Sequence, residues 1–537
     1  MRPSTAISLV WASLVSAQYR YADNQDPLEK DPQHVAAHFP DVDVDLFSPA
    51  FLDPDSVPEA FTNGTVGPTS QQTMDVFLKT LVSRNDWMTY HTPDFTSEEG
   101  RSIPYVVLSS SDATLRFPSS NTSKKLRLWM QGGVHGDEPG GDQALLAFLG
   151  KLDAEPKWAA SLLKNLDILV VPRYNPDGVA YFQRYLASNF DPNRDHTKLS
   201  SQQTRDIKRL NREFNAHISL DCHEYTASRR YGENDEYLPL QDNQFSAFKN
   251  PNVHSAIRRL GESLFVPNVH SALINHNMTV GPYVVLQTPQ ELRLHEFVTD
   301  VKGDVAVFLG QGLAFLSETR GIRLGNQHFK RRTAAGLVAV EAVAQIASDN
   351  ADIIYDTIEK ARADFIVNDQ EIIITDYPRW ANKSWPFIEA ETGDIVQVAV
   401  QFGNNTPPIA NLTRARPEAY VFSKAWSHVA ELLRIAGVQV DELQTDFGGQ
   451  VEAFNITTAV VESKKYEGTA RTTVTTEVSI KTINFPAGAY WVSTRQQNAA
   501  QAFVRLEPEN IDSFASFNIL PVDVGDEYQV YRIPATP

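Results

Sequence analysis

The sequence predicts an α/β fold: a mostly parallel (mixed) central sheet with helices on both faces, followed by a smaller β-rich C-terminal domain. Three observations carry this. Short apolar strands alternate with helical periodicity from about residue 71 to 348, as in strand–helix–strand units. One run, Asp167 to Val171 (DILVV), is almost continuously apolar, as a strand covered on both faces is. After about residue 349 the helical pattern gives way to β-branched runs. A chain of 537 residues is also long for a single domain, since domains run to ~100–200 residues.

The elements follow in chain order. Residues 1–17 read as a signal peptide: Arg2 gives the positive start, Ala6 to Leu14 the apolar stretch, and Val15-Ser16-Ala17 the small residues for cleavage. Residues 18–70, rich in Asp and Pro, are an N-terminal arm or pro-segment. The main α/β domain is expected over 71–348. In it, Leu126 to Met130 reads as a strand ending in Gly132-Gly133, and Gly141 to Leu149 as the helix that follows. Asp167 to Val171 is the next strand, Ser200 to Phe214 a helix, and His217 to Cys222 a strand. Gly312 to Ser317 is another strand, followed by a helix over Gln327 to Ala347. A helical connector at 349–366 leads to a β-rich C-terminal domain over 367–537, with runs at Glu371 to Thr375, Ile395 to Gln401 and Thr472 to Thr482.

Composition excludes some functions. A net charge of −18 disfavours nucleic acid and anionic membrane surfaces, which need clustered Lys and Arg. No stretch reaches the ~18 apolar residues of a membrane helix. Seven Asn-X-Ser/Thr triplets, at Asn63, Asn121, Asn277, Asn382, Asn404, Asn411 and Asn455, together with the leader suit a secreted, extracellular protein with N-linked glycans. The lone cysteine, Cys222, allows no intrachain disulfide and reads as a buried strand thiol.

The chemistry-bearing residues gather at expected carboxyl ends of strands, where open α/β sheets bind ligands. His135-Gly136-Asp137-Glu138 follows a strand and the glycine pair. Imidazole nitrogen and carboxylate oxygen are zinc donors, and a catalytic zinc takes three protein ligands. His-x-x-Glu alone is unspecific. Beyond it come Asn175-Pro176-Asp177-Gly178, Asp191-Pro192-Asn193-Arg194, His223 and Glu318. Singly, each has a plain structural alternative. His223 suits a satisfied core histidine, Glu318 an ion pair with Arg320 or Arg323, Arg194 a surface residue beside Asp191 and Asp195, and Asn175 to Gly178 a turn.

In their order along the chain these motifs resemble the zinc carboxypeptidases of the carboxypeptidase A type (funnelins). The chain is identified as a divergent, secreted member with an added C-terminal β domain, the resemblance covering about residues 75 to 345. The resemblance implies that His135, Glu138 and His223 bind one Zn2+ per chain and that Asp191 orients the first histidine. It implies that Asn193 and Arg194 grip a substrate's terminal carboxylate and that Glu318 is the general acid/base. The oxyanion arginine falls on Arg184, with Arg173 as the second choice. The family's capping tyrosine has no clear counterpart; Tyr283 is a candidate, though distant from Glu318 along the chain.

The implied reaction is hydrolysis of the C-terminal peptide bond of peptides or proteins by a zinc-activated water. The first alternative is a zinc amidase or deacylase acting on N-acyl amino acids or modified peptides. A non-catalytic binding protein would have lost a ligand or the base, and none is missing here. A glycan-binding role for the tail has only Trp380, Trp385 and Trp491 to draw on.

Overall fold

The computed structural model describes residues 22–110, 124–296 and 309–535. The leader at 1–17 and the Asn121 triplet lie outside the described residues. In chain order the first strands are β1 (Met88–His91), β2 (Tyr105–Leu108), β3 (Leu126–Gly132), β4 (Leu166–Val171) and β5 (Ile218–Thr226). There follow β6 (Tyr237–Pro239), β7 (Asn243–Ala247), β8 (Val280–Gly281), β9 (Val284–Thr288), β10 (Arg293–Glu296) and β11 (Leu313–Ile322). The C-terminal part contributes β12 (Ile372–Glu389), β13 (Ile395–Arg414), β14 (Ala419–Phe422), β15 (Asp441–Glu442), β16 (Phe447–Val461), β17 (Thr472–Phe485), β18 (Tyr490–Ser493) and β19 (Val530–Ile533).

The central sheet runs β1-β2-β4-β3-β5-β11-β7-β8. Its heart, β4-β3-β5-β11, is parallel, and β2 and β7 flank it antiparallel. The sheet is therefore mixed with a parallel core, as expected. Successive side chains of a strand face opposite ways, and the two cores separate on that alternation. Leu126, Leu128 and Met130 of β3 join Ile168 and Val170 of β4 in the larger core, under the helix Pro139–Ala154 and the helix Phe329–Asp349. Trp129 of β3, with Leu169 and Val171 of β4, faces the other way onto Ile207, Leu210 and Phe214 of the helix Gln202–Phe214. Each fully buried side chain of this size contributes ~1.5–3 kcal/mol, so both faces are bound to their helices.

Two strands are longer than the sequence suggests. β5 and β11 continue past the expected ends to Thr226 and Ile322, because they pair with each other in register over most of their length and β11 also pairs with β7. β3 stops at Gly132. His223 and Glu318 therefore stand inside paired strands, and the open edge lies over the end of β3.

The C-terminal part is β-rich, and it is joined to the rest by strand pairing. A five-stranded sheet runs β6-β12-β13-β10-β9, so the long β12–β13 hairpin pairs with strands that lie between β5 and β11 in sequence. A third sheet runs β15-β18-β14-β19-β16-β17. The helix Ala351–Val367 leads into β12. The N-terminal arm packs along the catalytic part: Phe61 is buried against Phe182 and Phe329, and the Thr69 carbonyl accepts from Arg173 Nη2 at 3.0 Å.

Candidate active site

The sharp turn after β3 builds one side of the site. Gly133 has φ +59°, a conformation glycine adopts without a Cβ penalty. A Cβ at Gly136 would stand 1.9 Å from the Gly178 carbonyl carbon, so only glycine admits this approach of the two loops. The Gly136 N–H donates to the Gln183 carbonyl at 3.0 Å, which fixes the contact. Asn175 caps the short helix Pro176–Tyr181 by accepting from the Gly178 N–H at 2.9 Å. That segment acts as the turn its composition indicates. The turn after β3 sets His135 and Glu138 at the start of the helix Pro139–Ala154.

His135, Glu138 and His223 converge from β5 and this turn, all buried, with one donor atom of each within 4.8 Å of the others. His135 Nδ1 is 2.7 Å from Glu138 Oε1, and His223 Nδ1 is 2.9 Å from Glu138 Oε2. The two Nδ1 atoms face each other at 3.2 Å. Behind them, His135 Nε2 lies 3.1 Å from Asp191 Oδ1, and His223 Nε2 lies 3.0 Å from Asp221 Oδ2. A carboxylate acceptor holds the proton on Nε2. Both Nδ1 atoms then face one spot beside a carboxylate, where a bound cation would take the place of the protons they otherwise share with Glu138. The three side chains fit the zinc ion that the donor chemistry calls for. Glu138 is held further by the Glu224 N–H at 2.9 Å, and its carboxyl is pushed down by His135 and His223 against the opposing effect of burial.

The arginines divide cleanly. Arg184 donates twice to Asp191 Oδ2, at 3.0 and 2.8 Å, and reaches Glu138 Oε1 at 3.3 Å. Arg173 turns away to Asp142 at 2.7 Å and to the Thr69 carbonyl, beneath the arm. The structure thus brings Arg184 to the cluster and keeps Arg173 out of it. Asn193 Nδ2 lies 3.2 Å from His223 Nε2. Arg194 donates to the Asn193 carbonyl at 2.7 Å, and among the described residues no carboxylate lies within ion-pair distance of it.

Glu318 is buried on β11, and among the described residues its side chain makes no hydrogen bond or ion pair. Burial pushes its carboxyl up to about 7, against the lowering pull of His223. The alternative ion pairs are taken elsewhere: Arg320 is paired with Asp31, and Arg323 with Asp26. Tyr283, distant in sequence, comes to the same place. It precedes β9, its N–H donates to Ser246 Oγ at 2.9 Å, and burial with the nearby Glu318 carboxylate pushes its phenol up to about 12. Cys222 is buried and its thiol is pushed up by burial, which disfavours the reactive thiolate.

Sequence reading passed over Asp221 and Glu224. Asp221 lies two residues before His223 on one face of β5, and that period-2 spacing was the available signal. Glu224 is buried, with Oε1 3.2 Å from the Thr319 hydroxyl and 3.4 Å from Arg332 Nε.

A family model for zinc carboxypeptidase matches residues 74–256. Over 533 residues the chain is 46% identical to Carboxypeptidase 2 of Trichophyton tonsurans, covering 98% of each chain. It is 45% identical over the same length to Carboxypeptidase 2 of Trichophyton rubrum, again covering 98% of each. Among solved structures, a metallo-carboxypeptidase from Burkholderia cenocepacia aligns with 16% identity and a TM-score of 0.39, covering 52% of this chain and 70% of that one.

Proposed function

The chain belongs to the zinc carboxypeptidase family, and from that premise we propose that it is a secreted enzyme that removes the last residue of peptides and proteins. The observation that carries the reading is the pair of inward-facing Nδ1 atoms of His135 and His223 beside Glu138, with Arg194 and Glu318 next to it, neither of which has an ion-pair partner among the described residues. One zinc ion held by these three residues supplies Lewis-acid chemistry at the scissile carbonyl.

The chain's own residues do the rest. Arg194, its guanidinium free of carboxylates among the described residues, takes the substrate's terminal carboxylate in a planar two-point grip, and Asn193 supplies an amide beside it. That grip places the last peptide bond by Glu318. The Glu318 carboxylate takes a proton from the attacking water and passes it to the leaving amine nitrogen. Its burial raises its basicity for the first step. Arg184, held by Asp191 and Glu138 beside the metal ligands, places its positive charge where the oxyanion develops on the carbonyl. Tyr283, whose phenol lies near Glu318 and Arg194, is the candidate to cap the bound substrate on that side.

Secretion rests on the leader and the glycan triplets. Asn63, Asn277, Asn382 and Asn411 are exposed, and Asn404 and Asn455 are half-buried. No helix among the described residues is long and apolar enough to cross a membrane.

The test compares paired peptides with free and amidated C-termini. The wild-type protein is expected to favour the free form strongly. Arg194→Ala removes one charge-assisted pair, so kcat/KM on free peptides falls by roughly 10- to 150-fold, with little change on amidated ones. Equal turnover of both forms by the wild-type protein would replace this reading with an amidase.

A further inference from the structure

The segment that carries Asn193 and Arg194 is held from outside the catalytic part. The turn between β16 and β17 reaches it with Glu467. The Glu467 carboxylate accepts the Asp191 N–H at 2.9 Å, and its main-chain carbonyl accepts Lys198 Nζ at 2.8 Å. These contacts lie on either side of Asn193 and Arg194 in sequence. One residue of the C-terminal β sheet thus brackets the carboxylate-binding pair.

The turn is shaped for this contact. Tyr466 and Thr469 exchange main-chain hydrogen bonds at 2.7 and 3.0 Å, closing a tight loop. Glu467 takes φ +45° and Gly468 φ +79°. A Cβ at Gly468 would stand 3.1 Å from Phe190 Cε1, and Lys198 Nζ lies 5.2 Å from the centre of the same ring. A second grip comes from the helix Ala499–Leu506, where Arg505 Nη2 donates to the His196 carbonyl at 2.7 Å. The Asp191 side chain is already committed to His135, Arg184 and the Asn193 N–H. Glu467 takes its main-chain N–H, and so fixes the backbone from which Asn193 and Arg194 project.

We propose that the β16–β17 turn is a working part of the substrate site, with Glu467 the positioning residue that sets Asn193 and Arg194 for the substrate's terminal carboxylate. This rests on the carboxypeptidase reading above. It gives the C-terminal β sheet a task in catalysis: the grip on the carboxylate depends on a residue about 270 positions further along the chain.

The experiment uses the full-length, zinc-loaded protein with Glu467→Ala and Glu467→Gln, assayed on the paired free and amidated peptides. Glutamine keeps an oxygen that accepts the Asp191 N–H; alanine does not. Glu467→Ala is expected to raise KM on free-carboxylate peptides about 10-fold, the worth of one lost hydrogen bond to a charged group. The same variant should keep kcat within about 2-fold and keep its zinc. Glu467→Gln should restore KM. Unchanged KM in a folded Glu467→Ala, or loss of zinc in proportion to loss of activity, would overturn the inference and leave the turn structural or tied to the metal. If the wild-type protein itself treats free and amidated peptides alike, the underlying reading fails and this one with it. Wild-type discrimination that survives unchanged in Glu467→Ala sinks this inference alone.

Discussion

Glu318 and His223 are register partners on the parallel strands β11 and β5. Strands paired in a sheet lie ~4.8 Å apart, and residues level with each other present their side chains to the same face. The proposed base and a proposed metal ligand are therefore fixed side by side by the sheet's own hydrogen bonds. The spacing depends on no loop, and a substitution in either side chain leaves the ladder intact.

For that reason Glu318→Gln is expected to fold, keep its zinc and lose kcat by at least ~10²-fold, since a positioned general base contributes 10²–10⁴. The pH profile gives a second readout. Burial raises the Glu318 carboxyl to about 7 in the metal-free protein. A bound cation favours the carboxylate, so the limb in the loaded enzyme lies below that value. Activity then falls on acidification, as the base takes up a proton, and the residual activity of the glutamine variant lacks that limb. A folded, loaded variant with near wild-type kcat would remove Glu318 from the chemistry.

The metal assignment makes a separate claim. Elemental analysis should find close to one zinc per chain in the wild-type protein and little in His223→Ala, which loses one of the three donors. Asp221→Asn keeps the donors and weakens the hold on the His223 Nε2 proton, so zinc affinity should drop by about 10- to 100-fold. Full zinc retention in His223→Ala would place the ion elsewhere or nowhere.

What the sequence made legible follows from distance along the chain. His135 and Glu138 share one turn, and Asp191, Asn193 and Arg194 share another. Short motifs of this kind carry their geometry locally, and the flanking apolar strands place them at one edge of the sheet. Tyr283 comes near Glu318 through the pairing of β8 with β7, which no periodicity announces. Glu467 arrives through the third sheet, on a turn whose Lys, Tyr and Gly composition reads as an ordinary hairpin loop. The β-rich C-terminal character was visible in its β-branched runs. The pairing of β13 with β10 was not, because strand partners far apart in sequence are set by tertiary packing.

The N-terminal arm gives the last prediction. Asp31 accepts two hydrogen bonds from Arg320, at 2.5 and 2.8 Å, and His328 Nε2 lies 3.2 Å away. Both acid and arginine are buried, and Arg320 stands two residues beyond Glu318 on β11. Burial by itself would raise the Asp31 carboxyl; His328 and Arg320 outweigh it and hold it below its ordinary 3.8. A carboxyl lowered on folding adds stability that is complete above the unfolded value and is lost as pH falls through and below it. The thermal midpoint of the wild-type protein should therefore drop on acidification below about pH 4, and Asp31→Asn should show a shallower acid slope. At neutral pH the same variant leaves Arg320 buried without its counter-charge, which costs ~3–5 kcal/mol. We expect a lower melting temperature and faster proteolysis within residues 22–70. The arm's status is decided in the same preparation. An arm that supports β11 predicts that cleavage within it lowers kcat along with stability. A removable pro-segment predicts that cleavage raises activity, and that result would assign residues 18–70 to inhibition.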